Sequence, residues 1–270
     1  LPAGDAMVMA VYREVIKEWS VDLSRVSVGG MSNGGTGSWH IAMKYPWLWS
    51  AVVPRCAGEV RDDGFVKNIA EVATYMIHGT RDHLIPVESS RAMRDRLLRV
   101  GNTPVLTEID GGGHRFFSRE NRKVSAWLKE QRRGALRSFT YSRLPDSDLN
   151  PPGLVYWVHA PGAKSLQASL TREATGVRVD LGGLDLPRDT TVYLPAPFVE
   201  PGTTLRVFRG DTKVHEGPMS PSVTSLLESY RLSGDPDRTF TVGVTLNLDR
   251  PPTRAQSESP GSGSDTQRKP

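Results

Sequence analysis

The most constraining feature of the sequence is the run Gly30-Met31-Ser32-Asn33-Gly34. It is a G-x-S-x-G pentapeptide. The run Arg25-Val26-Ser27-Val28-Gly29 before it reads as a short β-branched strand, and a helical pattern begins near Gly35. A serine between a strand and a helix in this spacing sits on a sharp, strained turn, the nucleophile elbow. Small residues two before and two after it let the strand and helix pass closely. The turn lifts the hydroxyl clear of the sheet. It also aims the helix N-terminus, with the Asn33 backbone N–H, at any oxyanion forming beside that hydroxyl. A glycine-rich structural turn is the competing reading, and the strand and helix flanks weigh against it.

The rest of the first half supports a sheet with such a turn at its rim. Val8, Val11, Tyr12, Val15, Ile16 and Trp19 recur at three- and four-residue steps and predict an amphipathic helix over residues 5–19. A helix over 35–45 is stopped by Pro46. Apolar runs at 51–53, 73–78 and 105–109 predict strands, and residues 88–100 and 120–131 predict helices. Short apolar strands alternating with helices imply a parallel sheet covered on both faces, hence an α/β fold.

A serine hydroxyl needs a base. Six histidines are available. His114 follows Gly111-Gly112-Gly113 just past the C-terminal end of a strand, the rim where open parallel sheets place their sites. His83 is the nearest rival, beside Asp82. His78 ends a strand and reads as a packed or turn-bonding residue. His40 lies on the helix after Ser32, and His159 and His215 lie in the β-rich part. The base in turn needs a carboxylate to fix its tautomer. Asp82, in His78-Gly79-Thr80-Arg81-Asp82 after the third strand, fits that role. Asp110 is an alternative through its closeness to His114 in sequence; Asp62 and Asp63 are weaker alternatives.

The order Ser32, Asp82, His114 is the chain order of α/β-hydrolases. Residues 5–131 resemble the C-terminal half of an α/β-hydrolase catalytic domain. The elbow, residues 30–35, resembles those of poly(3-hydroxybutyrate) depolymerase-like and feruloyl-esterase-like enzymes. Residues 78–86, read HGTRDHLIP, and the later Gly111-Gly112-Gly113-His114 resemble dienelactone-hydrolase or carboxylesterase types and also the prolyl oligopeptidase catalytic domain. The resemblance implies a serine hydrolase acting on esters, with Ser32, His114 and Asp82 as catalytic residues and the Asn33 N–H as an oxyanion donor. It implies neither metal nor organic cofactor. A serine peptidase of the prolyl oligopeptidase type is the second reading. A binding protein that keeps the elbow without catalysis is the third. In this superfamily several strands precede the elbow, and the loop after the third donates a second oxyanion N–H. The chain starts at Leu1, with one helix and one strand before Ser32. The expectation is therefore a truncated sheet in a fragment of low activity, with an edge at the elbow strand open to aggregation.

After about residue 136 helical periodicity fades. Strand-like runs at 154–159, 165–170, 177–181, 190–194, 204–208 and 240–248 predict a small all-β, sandwich-like region. A helix over 222–230 interrupts it, with Val223, Leu226, Leu227 and Tyr230 on one face. The expected organisation is a hydrolase part over 1–135, a β-rich accessory part over 136–250 and a disordered tail over 251–270, rich in Pro, Ser, Gly and charge. Tyr156, Trp157, Tyr193, Phe198 and Phe208 suggest either a platform for a polymeric substrate or alternating core packing. Trp39, Trp47 and Trp49 suggest helix packing ahead of a substrate wall, Cys56 a small buried thiol ahead of a residue lining the site, and Arg132 and Arg133 a solvated helix end.

Composition sets outer bounds. With 37% apolar and 24% charged residues the chain can build a core. One cysteine excludes an internal disulfide and a multi-cysteine zinc site. The net charge of +4 is scattered among acids, which gives no nucleic-acid footprint. No apolar run is long enough to span a membrane. Neither compartment nor oligomeric state is encoded legibly.

Overall fold

The computed structural model describes residues 2–144 and 153–248. The tail expected over 251–270 lies outside the described residues. Helix α1 (Pro2–Glu18) leads to strand β1 (Ser27–Met31), helix α2 (Asn33–Lys44) and strand β2 (Ala51–Arg55). Helix α3 (Asp63–Val66), strand β3 (Ala73–Gly79), helix α4 (Glu88–Arg99), strand β4 (Val105–Ile109) and helix α5 (Asn121–Leu128) follow. The four strands form one parallel sheet in the order β1-β2-β3-β4. All five residues of β2 and six of the seven in β3 are buried, as expected of parallel strands covered on both faces. Because every strand runs the same way, the turns after β1, β3 and β4 open onto one rim. Those turns carry Ser32, Asp82 and His114.

Two features of this half differ from the sequence expectation. The crossover from β2 to β3 contains α3, which is a single turn and so too short to show periodicity. Helix α1 buries Met9 and half-buries Val8, Tyr12 and Ile16, whereas Val11, Val15 and Trp19 are exposed. Its inward face is therefore rotated from the predicted stripe. Contacts with α2 and its flank set that rotation: the Tyr12 ring meets Trp49 edge-on at 5.6 Å, and Lys44 Nζ lies 2.6 Å from Asp5 Oδ2.

The second half is β-rich. Strands β5 (Ser138–Ser142), β8 (Ser165–Glu173), β9 (Gly176–Gly182), β11 (Thr204–Arg209) and β12 (Thr212–Pro218) form a sheet in the order β12-β11-β9-β8-β5. Strands β6 (Leu154–Val155), β7 (Val158–His159), β10 (Thr191–Leu194) and β13 (Val242–Thr245) form another, in the order β13-β10-β7-β6. The run expected as one strand over 154–159 is a tight hairpin, turning at Tyr156 with φ +51°. Helix α6 (Val223–Ser233) is capped by the Ser222 hydroxyl, which accepts from the Ser225 N–H, and ends on Gly234 in the left-handed region. Its predicted face is corrected: Val223, Leu227 and Tyr230 are exposed, and Ser229 is the buried residue. The Ser229 hydroxyl holds the Phe240 N–H at 2.9 Å.

The two halves share one apolar core that runs from Met9 and Trp39 through Trp47, Tyr141 and Trp157 to Val207 and Val242. Polar contacts stitch the seam. Asn68 Nδ2 donates to Met43 O and Ser142 O, and its Oδ1 accepts from Ser142 N. Arg133 is no solvated helix end. Its guanidinium donates to Trp47 O and to Asp235 Oδ2, both at 2.7 Å. Core packing accounts for three of the five residues suggested as an aromatic platform: Trp157, Tyr193 and Phe198 are buried, while half-buried Phe208 sits under the Arg178 guanidinium at 3.8 Å. Trp39, Trp47 and Trp49 are core residues as well.

Candidate active site

Ser32 lies between β1 and α2 with φ 56° and ψ −123°. A non-glycine residue adopts this conformation only when its surroundings impose it. The imposing contacts are visible. The Ser32 N–H donates to Arg55 O on β2 at 2.9 Å, and the Ser32 carbonyl accepts the Thr36 N–H of α2 at 2.9 Å. Gly30 is the close-approach residue: a Cβ there would stand 2.4 Å from the carbonyl carbon and oxygen of Gly34. Gly34 itself has open space where a Cβ would go, so it is Gly35, hemmed by Ala57 and Arg55 O at 2.9 Å, that also needs to be small. The expectation of one required glycine on each side by two therefore holds for Gly30 and shifts to Gly35 on the helix side. No side chain caps α2, so its first N–H groups, Asn33 among them, face the rim where they can meet a negative charge.

Asp82 and His114 come together. His114 Nδ1 donates to Asp82 Oδ2 at 2.7 Å. The Asp82 side chain is fully buried, and that of His114 is 15% exposed. The other carboxylate oxygen, Oδ1, accepts the N–H groups of Leu84 at 2.9 Å and Ile85 at 3.0 Å. Burial works against the Asp82 charge. The Ile85 N–H, His114, the Leu84 N–H and the Cys56 thiol outweigh it and hold the carboxyl down to about 2. With Nδ1 committed to Asp82, the free lone pair of a neutral His114 is on Nε2.

The other candidates are placed elsewhere or do other work. Asp62 caps α3, and Asp63 pairs with Arg96. Asp110 accepts from the Thr80 hydroxyl at 3.3 Å. His83 is exposed. His40 bonds the Thr36 carbonyl of its own helix. His159 and His215 remain in the β-rich half. His78 is fully buried, with Nε2 between Ile85 O at 2.8 Å and Asp82 Oδ2 at 3.3 Å. Both neighbours are acceptors, so Nε2 carries a hydrogen and Nδ1 takes the Ser90 hydroxyl at 2.7 Å. His78 is thus a brace behind Asp82.

The His114 loop folds back over the tip of β2, the strand that anchors Ser32. Arg55 Nη1 donates to Phe116 O at 2.8 Å, and its guanidinium lies 4.2 Å from the centre of the Phe116 ring. The Cys56 thiol reaches Arg115 O at 3.5 Å. No side-chain hydrogen bond is made by the Ser32 hydroxyl or by His114 Nε2 among the described residues. The structure thus joins His114 to Asp82 and forms no hydrogen bond between His114 and the Ser32 hydroxyl.

Cys56 is the residue that sequence reasoning underrated. It is buried, it sits at φ +43°, and its sulfur, a carboxylate oxygen of Asp82 and a ring nitrogen of His114 lie within 4.8 Å of one another. Burial, chiefly, pushes its thiol pKa up, so it is a neutral neighbour of the Asp82 anion. The three groups are of metal-ligand type, but here the carboxylate and imidazole are bonded to each other.

Residues 5–131 match the family model for phospholipases and carboxylesterases. Over these residues the chain is similar to the α/β-hydrolases of that family. Among solved structures, a thermostable esterase is 29% identical, with 47% of this chain and 36% of that one covered at a TM-score of 0.42. SOBER1 of Arabidopsis thaliana is 21% identical over 46% of this chain and 61% of that one, TM-score 0.41. Acyl-protein thioesterase 2 of Zea mays is 17% identical over 47% and 63%, TM-score 0.40. The chain thus spans less than two thirds of the length of each. No curated protein matches the sequence. No described helix is long and apolar enough to cross a membrane.

Proposed function

We propose that the chain carries a serine hydrolase site for carboxylic esters, with Ser32 as nucleophile, His114 as general base and acid, Asp82 as its orienting carboxylate and the Asn33 N–H as an oxyanion donor. The observation that carries this reading is the 2.7 Å bond from His114 Nδ1 to a fully buried, ionised Asp82, on the rim where the strained Ser32 turn projects. In the first half-reaction Ser32 Oγ attacks the ester carbonyl carbon while His114 Nε2 takes its proton. The carbonyl oxygen becomes an anion facing the α2 N-terminus. The intermediate collapses, the imidazolium delivers the proton to the leaving alkoxide, and an acyl-serine remains. Water then repeats the sequence with His114 as base, releasing the acid and restoring the hydroxyl. Asp82 stays ionised throughout and stabilises the imidazolium. The match of residues 5–131 to the phospholipase and carboxylesterase family model supports an ester over a peptide bond.

A fluorophosphonate probe tests the proposal directly. The wild-type chain is expected to be labelled at Ser32, and Ser32→Ala to lose the label. Labelling that survives Ser32→Ala, or a wild type that takes no label, would remove Ser32 from the role.

A further inference from the structure

Acyl transfer leaves one cavity of the rim unused. It has a volume of about 990 Å³ and is walled by the triple-glycine loop that carries His114 and by the segment that follows it. Arg81 and Arg115, each one residue from Asp82 and His114 respectively, line it together with Arg119, His83 and Phe116. All three arginines are exposed, and none meets a carboxylate within ion-pair distance among the described residues. Arginines elsewhere on this surface are commonly matched, as in Arg91 with Glu108, Arg132 with Asp22 and Arg206 with Glu216. The one carboxylate in the wall, Glu120, is held by Lys123 at 2.9 Å. Asp110, which accepts from the Thr80 hydroxyl, keeps its charge but does not line the cavity, so the three arginines outnumber the wall's carboxylate. The cavity is therefore left with an excess of positive charge, which a concave wall focuses. Guanidinium groups are the donors best shaped for carboxylate and phosphate oxygens.

We propose that this cavity is a substrate subsite for an anionic group, so that the preferred esters carry a carboxylate or phosphate on the part that lies beside His114. The inference rests on the hydrolase reading for its substrate, but not for its binding chemistry. Calorimetric titration of the full chain carrying Ser32→Ala separates the two. Monomethyl succinate supplies a carboxylate, monomethyl phosphate a phosphate, and methyl butyrate a neutral ester of similar size. At least one of the two anions is expected to bind, more weakly as salt rises, and the neutral ester to bind more weakly still. Adding Arg81→Gln, Arg115→Gln and Arg119→Gln together should weaken anion binding by about tenfold, the summed effect of three solvent-screened contacts. Which anion binds tells carboxylate from phosphate. Equal affinity for neutral and anionic ligands, anion binding insensitive to salt, or affinity unchanged by the triple replacement would overturn the subsite. Failure of the hydrolase reading would show instead as loss of probe labelling with the anion contrast intact.

Discussion

At the scale of single residues the elbow is decided by backbone clearance. A methyl group on Gly30 would be driven into the Gly34 carbonyl, which as backbone cannot swing aside. Gly30→Ala is expected to lower stability by about 1–3 kcal/mol, the usual cost of overpacking. Gly34→Ala meets open space on a helix and should be neutral or stabilising by up to about 1 kcal/mol. Thermal melts of the two variants check this, and equal losses would contradict it. The serine and its turn were legible in five letters, because few backbones accept that spacing between a strand and a helix. The division of labour among the glycines was not, since the motif is symmetric and only packing says which side is crowded. The place of Cys56 after a strand hinted that it lines the site, but its contacts were illegible for a related reason. Its neighbours Asp82 and Arg115 are brought to it by strand order and a returning loop, neither of which leaves a local mark.

At the scale of elements the segment between β3 and α4 is organised around one buried carboxylate. Two of its own N–H groups, the His114 ring and the Cys56 thiol hold Asp82 as an anion. Its carboxyl titrates at about 2 in the folded chain, below the ordinary value of 3.8. The folded state thus binds its proton less readily than the unfolded state. The resulting stability, about 2 kcal/mol, is full above the unfolded value and is lost as pH falls from about 4 towards 2. Urea titrations of wild type and Asp82→Asn should differ most above pH 5, with the gap closing by pH 2. A gap independent of pH would refute the account. Turnover of Asp82→Asn is expected to fall by about 10⁴-fold, the scale set by the same exchange in a serine protease.

Elements also show where pattern reading fails. The alternating strands and helices of the first half were plain from apolar runs and their stops. Strand β12 was missed because half-exposed Lys213, His215 and Glu216 give it no apolar alternation, and β5 because only Phe139 and Tyr141 mark it. Helices α1 and α6 were found but rotated. Apolar residues ring more of each helix than their neighbours cover, so the sequence alone does not select the inward side.

At the scale of the whole molecule the apolar core crosses the seam at residue 135 without a break. Trp47 is its hinge point: 2% exposed, it packs against Tyr45, Tyr141 and Tyr156, with Arg238 over its ring at 5.5 Å. Trp47→Ala is expected to cost about 3–5 kcal/mol. The wild-type chain should unfold in a single transition, with fluorescence and far-ultraviolet circular dichroism coincident. Two separated transitions would show that the halves are energetically independent.

The buried joint made by Arg133, Asp235 and Asn68 limits how the β-rich half can be interrogated. Cutting the chain after residue 135 would take Asp235 from the Arg133 guanidinium and the Ser142 backbone from the Asn68 amide, and lay bare the side chains around Trp47. A silent fragment of that kind would report collapse of the first half and say nothing about recognition. The purpose of the second half is better sought by altering its outward side chains one at a time in the intact chain.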